Sequence, residues 1–140
     1  MKKVYTSGTY DLFHIGHLNV IKASKALGDY LVVGVSTDEL VKSYKQQEPI
    51  ISLADRIEII RHLDCVDEVV VQEELFSVEL MSSLDIDIMT IGDDWRNKSH
   101  PGLQWAIDNP SIEMVFLPYT QTVSTTQLKE KIRNGWQEDK

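Results

Sequence analysis

Cysteine occurs once in this chain, at Cys65. No intrachain disulfide can form, and the reducing cytoplasm is the expected compartment. Long apolar runs are missing as well. No stretch approaches the roughly 18 residues of a membrane span. Met1-Lys2-Lys3 carries charge but no apolar core follows it, so neither a secretory signal nor a membrane partner is expected. Positive charge is scarce: the formal net charge is -8. That argues against nonspecific binding to nucleic acid or anionic lipid, which needs clustered Lys and Arg. It leaves room for a phosphorylated ligand, because a few local cations and backbone N–H groups hold one. No repeat period and no low-complexity tract is visible. The 140 residues, 42% of them apolar, suit one compact domain spanning 1–140 with a real core.

What is present alternates between strands and helices. Val4-Tyr5-Thr6 reads as a short strand ended by Gly8. Gly16–Leu27 has apolar residues at helical spacing, with Gly28 beyond it as a C-cap. Tyr30–Ser36, "YLVVGVS", is a continuous apolar run of the kind found in buried parallel strands. Thr37-Asp38-Glu39 caps a short helix, and Lys42–Ile51, which contains Pro49, reads as a loop. A helix starts at Ser52 and runs to about Leu63; Asp67–Val71 is the third strand. Phe76–Leu84 is a helix, Ile86–Ile91 a strand, Gly102–Asn109 a helix, Met114–Leu117 a strand, and Thr125–Ile132 a final helix. The alternation predicts a doubly wound α/β domain, Rossmann-like, with about five parallel strands. Ligands of such sheets sit beyond the carboxyl ends of the strands. The informative loops are therefore Ser7–His17, Ser36–Ile51, Gly92–Pro101 and Pro118–Thr126.

The first of these loops reads "GTYDLFHIGH" from Gly8 to His17. It follows a strand and opens a helix, whose N-terminus offers free N–H groups and partial positive charge to an anion. Gly16, lacking a β-carbon, lets a bulky ligand approach the backbone. His14 and His17 are three residues apart, on one side of the turn. Together they form a compact, largely neutral clamp for a phosphoryl group that gains charge on attack. Taken without context the pair also fits solvated or capping histidines, or two ligands of a metal. A metal site wants further ligands, and beyond Asp11 neither a Cys cluster nor H-E-x-x-H is present. The phosphate loop G-x-x-x-x-G-K-[ST] and the dinucleotide fingerprint G-x-G-x-x-G are absent too.

The same ten residues resemble the G-T-F-D-x-x-H-x-G-H signature of the HxGH nucleotidyltransferase superfamily. The likeness continues through "LGDYLVVGVSTDE" (Leu27–Glu39), "VDEVV" (Val66–Val70), "IGDDW" (Ile91–Trp95) and "STTQLKEKI" (Ser124–Ile132), in the family's order. The branch most resembled is the cytidylyltransferases, in particular those acting on glycerol 3-phosphate. The resemblance implies a reaction of CTP with a phosphorylated alcohol, giving a CDP-alcohol and pyrophosphate, with Mg²⁺ or another divalent cation. It also implies a homodimer. By resemblance His14 and His17, with Lys45, are catalytic. Gly8, Thr9, Tyr10, Asp11 and Gly16 belong to the nucleotide site, Thr9 and Asp11 flanking the triphosphate. Gly92, Asp94 and Trp95 lie around the cytosine and ribose, and Ser124, Thr125 and Thr126 hold the terminal phosphates. Lys42, Arg56 and Tyr119 fall to the acceptor. No resident metal ligand is expected.

Departures from the pattern concern the acceptor. Glycerol-3-phosphate cytidylyltransferases carry an arginine where this chain has Asp64, another where it has Tyr119, and a lysine on the helix around Ser77–Glu79. Each change removes a cation. The nucleotide half of the signature is intact and the acceptor half is not, which favours an altered acceptor. Phosphocholine, phosphoethanolamine, heptose phosphate and FMN remain open as acceptors within the superfamily, some with ATP in place of CTP. A non-catalytic nucleotide-binding regulatory domain is the alternative outside enzymes.

Overall fold

The computed structural model describes residues 1–92, 100–118 and 123–135. Eleven elements follow in order: β1 (Lys3–Gly8), α1 (Ile15–Lys25), β2 (Tyr30–Ser36), α2 (Asp38–Lys45), α3 (Leu53–Arg61), β3 (Glu68–Gln72), α4 (Val78–Leu84), β4 (Ile88–Gly92), α5 (Pro101–Asp108), β5 (Glu113–Leu117) and α6 (Thr125–Arg133). The five strands form one parallel sheet in the order β3-β2-β1-β4-β5. Chain progression reverses between β1 and β4, and there a doubly wound sheet opens a crevice for ligands.

The buried run of β2 covers both faces. Leu31, Val33 and Val35 pack in one cluster with Ile21 of α1 and Ile60 of α3. Val32 packs in the other with Met81 of α4 and, at its margin, Leu103 of α5. The period of two distributes one strand between two cores. Among the described residues no helix is long and apolar enough to cross a membrane.

Aspartates close the amino edge of the sheet. Asp29, Asp67 and Asp87 each stand directly before a strand and accept an N–H from the neighbouring chain segment. Lys2 N–H donates to Asp29 at 2.8 Å, Leu31 N–H to Asp67 at 2.7 Å and Lys3 N–H to Asp87 at 2.9 Å. Groups that a parallel ladder leaves unpaired at its start are satisfied in this way.

One expected loop is shorter than its sequence suggests. Lys42 and Lys45 lie on α2, in its last turn, not in a loop. Thr37 caps that helix by accepting the Leu40 N–H, Val41 is buried, and Gln46 ends it at φ 59°. The two lysines face the negative end of the helix dipole. The absence of a clear period in so short a segment hid the helix.

Candidate active site

The chain leaves β1 through Gly8-Thr9-Tyr10-Asp11 and turns sharply, with Tyr10 at φ 58° and Leu12 at φ 50°. Two non-glycine residues in the left-handed region mark a turn held by its surroundings. The Tyr10 ring folds back over Gly8, where a β-carbon would lie 3.0 Å from Cζ. It then packs edge-on against His17, centroids 5.5 Å apart. Tyr10 is buried. Its ring supports His17 from below, which corrects the expectation that its side chain meets the nucleotide.

His14 is the N-cap of α1. Its Nδ1 accepts the Gly16 N–H at 3.0 Å, while His17 Nδ1 accepts the His14 N–H at 3.3 Å. A ring nitrogen that accepts carries no proton, so the proton of each neutral imidazole sits on Nε2. The two rings are stacked, centroids 3.8 Å apart. Burial pushes the pKa of His17 down to about 4, helped by His14 and by Lys45 against the opposing pull of Asp11. Burial lowers that of His14 as well. Both rings are therefore neutral near pH 7 and present Nε2–H donors.

His14 Nε2 lies 3.3 Å from Thr125 Oγ1, and that hydroxyl donates to the Asp11 carbonyl at 2.9 Å. The N-terminus of α6 thus meets the N-terminus of α1. Ser124 caps α6 by accepting the Gln127 N–H at 3.1 Å, and Thr126 is exposed beside it. Residues more than a hundred positions apart converge at the switch point of the sheet.

Asp11 and Arg56 hold this arrangement, and neither faces a ligand. The Asp11 carboxylate accepts the Ile50 N–H at 2.8 Å and the Ile51 N–H at 2.9 Å, with Lys129 Nζ 3.5 Å away. Burial works to raise its pKa; the two N–H groups and Lys129 outweigh that and lower it. Its oxygens are engaged by the loop before α3, so the expected flanking of a triphosphate does not fall to its carboxylate. Arg56 is 1% exposed. It donates to the carbonyls of Thr9, Ser36 and Ile51 at 2.8–2.9 Å and to Asp38 at 2.5 Å. An arginine with its guanidinium engaged four ways beneath the surface cannot hold an acceptor; it ties the loops after β1 and β2 to the starts of α2 and α3.

Residues 5–131 match the family model described as cytidylyltransferase-like. The chain belongs to the cytidylyltransferase-like family. It is 40% identical over 131 residues to a Bacillus spizizenii protein named glycerol-3-phosphate cytidylyltransferase, covering 93% of this chain and 96% of that protein. It is 38% identical over 133 residues to the bifunctional protein HldE of Helicobacter pylori, covering 94% of this chain but 28% of that longer protein. Among solved structures, the lipopolysaccharide core biosynthesis protein from Thermoplasma volcanium aligns with a TM-score of 0.71 at 28% identity, covering 88% of this chain and 99% of that one.

Within this cytidylyltransferase-like fold the other expected site residues separate. Thr9, Gly16, Lys45 and Gly92 lie at the carboxyl edge. The Gly16 N–H is already taken by His14, and Lys45 is near enough to His17 to depress its pKa. Lys42 is exposed, 3.9 Å from Glu48. Asp93, Asp94, Trp95 and Tyr119 lie outside the described residues. Asp64 sits in the turn entering the amino end of β3, the edge opposite His14. Its substitution removes no cation from beside this chain's own His14 and His17, which corrects the reading that a cation near the phosphates is lost there.

Lys129 was not singled out from sequence. It stands one helical turn after Thr125 on the same face of α6, and that i, i+4 spacing was the available signal. A second His-x-Gly cap was also missed: His100 Nδ1 accepts the Gly102 N–H at 2.9 Å at the start of α5.

Proposed function

We propose that this chain transfers a cytidylyl group from CTP to the phosphate of a small phosphorylated alcohol. One observation carries the reading: His14 meets Thr125 at the capped start of α6 and is stacked on His17, both rings neutral with the proton on Nε2. An acceptor phosphate oxygen attacks the α-phosphorus in line. A new P–O bond forms, the bond to the α–β bridging oxygen breaks, and pyrophosphate leaves with the electron pair. The acceptor is already an anion, so no protein nucleophile or general base is needed. Catalysis is positioning plus donation to oxygens that gain charge. The His14–Thr125 contact is long at 3.3 Å, and a phosphate oxygen is the better acceptor for the same N–H. Ser124–Thr126 receive the β- and γ-phosphates with the N–H groups of α6, and Lys45 adds positive charge beside His17.

A divalent cation such as Mg²⁺ would neutralise phosphate charge when bound with the nucleotide, and such an ion keeps much of its own water. The Asp11 oxygens, already accepting two backbone N–H groups, are poor candidates for binding it directly. We propose a homodimer in the cytoplasm. Edge strand β3 has no neighbouring strand on one side and offers that side to a second copy, and light scattering at twice 16.0 kDa is the expected result. The test of the reaction is pyrophosphate release with CTP or ATP, each crossed with phosphorylated alcohols. Release with CTP and an acceptor is expected. Release with ATP alone, or with neither, overturns the assignment.

A further inference from the structure

Two clefts on the described surface lie at opposite edges of the sheet. The larger, about 330 Å³, is lined by Asp85, Asp87, Trp105 and Asn109 at the amino edge of the sheet, away from the histidines. The smaller, about 180 Å³, lies at the carboxyl end of β3, lined by Val71, Gln72, Glu73, Glu74, Ser77 and Leu80. Gly8, Val35 and Val71 stand in one row across the sheet. The small cleft therefore shares an edge with the phosphate clamp, two strand spacings away, or about 10 Å.

Its floor is built. Gln72 is 6% exposed. The Tyr5 hydroxyl crosses the sheet to donate to Gln72 Oε1 at 2.6 Å. Gly34 makes this possible, because a β-carbon there would overlap the Tyr5 hydroxyl. With Oε1 engaged by Tyr5, Nε2 is the amide atom left for the cleft that Gln72 lines. A buried amide thus presents two N–H donors to the cleft, beside the Glu73 and Glu74 carboxylates. Ser77 Oγ accepts the Leu80 N–H and keeps its own proton to donate.

We propose that this cleft binds the hydroxyl-bearing tail of the acceptor, and that the acceptor is a phosphorylated polyol or sugar longer than glycerol phosphate. The proposal rests on the cytidylyl-transfer reading above, which places the acceptor phosphate near His14 and His17. Donors and acceptors stand side by side in the cleft, and a hydroxyl uses both. An ammonium group has no use for the Gln72 N–H donors, and a second phosphate would be repelled by two carboxylates. A three-carbon chain falls short of the span from the histidines to β3; five or more carbons reach it. Tyr5 acts as a positioning residue, through Gln72.

The test compares ribitol 5-phosphate with glycerol 3-phosphate in the wild type, in Tyr5→Phe and in the double variant Glu73→Gln/Glu74→Gln. Pyrophosphate release is read alongside calorimetric binding of each acceptor in the presence of CTP. Wild-type kcat/KM should favour ribitol 5-phosphate by about tenfold or more, as one or two charge-assisted contacts provide. The double variant should bring the ratio towards one, and Tyr5→Phe should raise KM for ribitol 5-phosphate without moving KM for CTP. Equal or better turnover of glycerol 3-phosphate by the wild type overturns the cleft assignment and leaves cytidylyl transfer standing. Ribitol 5-phosphate binding that weakens in the double variant, with no pyrophosphate from any pairing, supports the cleft and overturns the transfer reading. Absence of both binding and turnover overturns both.

Discussion

At the amino edge of the sheet, Asp29 and Asp87 each accept one backbone N–H, and Asp67 accepts one together with the exposed Lys25 ammonium at 2.7 Å. At the carboxyl edge, Asp11 accepts two N–H groups from the loop before α3, pairs with Lys129 and offers its carbonyl to Thr125. The residue type is the same and the consequences differ. Each amino-edge aspartate closes one gap locally, partly in solvent. Asp11 and Arg56 interlock the segments after β1, after β2 and before α3 with the starts of α2 and α6, and the histidines depend on that frame for the direction of their donors. Damage at the first edge should lower stability alone. Damage at the second should reach the chemistry.

The sharpest way to break this comparison is Arg56→Ala. Three carbonyls and Asp38 lose their partner at once, and urea unfolding should show a loss of about 3–5 kcal/mol. Arg56→Lys should recover only part, since an ammonium cannot span the four acceptors as the flat fork does. Next comes His17→Ala, which leaves the frame standing. Its kcat should fall about 10²–10³-fold, while calorimetry shows a much smaller change in CTP affinity, because the donor acts on charge that develops in the transition state. An equal loss of binding and rate would make His17 a ground-state ligand only.

Lys129→Met probes the link between the two helix starts. Stability should fall by about 1 kcal/mol and KM for CTP should rise, since one of the two polar ties between α6 and Asp11 is then lost. Asp11 contributes stability above its unfolded pKa that is lost as pH falls through its lowered folded value. Without Lys129 that folded value rises, so acid unfolding of the variant should begin at higher pH. The smallest effect belongs to the amino edge. Asp67→Asn and Asp87→Asn keep an acceptor oxygen and should each cost about 1 kcal/mol with kcat/KM unchanged; a fall in kcat/KM would erase the distinction between the edges.

Much of the fold was legible because its signals are local. "YLVVGVS" delimits β2 correctly, as a Val-rich run between turn residues must, and the alternation of elements predicts the parallel sheet. The histidine pair was legible as a feature of the loop that opens α1, but the tautomers were not, since they depend on backbone N–H groups placed by the turn. Arg56 looked like a ligand-binding cation because sequence shows charge without depth. Asp64 looked like a lost phosphate contact because a motif alone does not say which edge of the sheet it meets. Lys129 and the Tyr5–Gln72 bond across Gly34 are long-range contacts, and one-dimensional spacing carries them only faintly.

The central claim is that both histidines are neutral Nε2–H donors at working pH. The unfolded chain binds a proton near the ordinary histidine pKa that folded His17 refuses until about 4, so stability should rise with pH between about 4 and 6.5 and flatten above. The direct measurement is ¹⁵N-detected NMR of the imidazole rings in the unliganded protein across that range. The account predicts that at pH 7 both His14 and His17 carry their proton on Nε2, and that His17 titrates near 4. A proton on Nδ1 of either ring, or a His17 pKa at or above about 6.5, would contradict it.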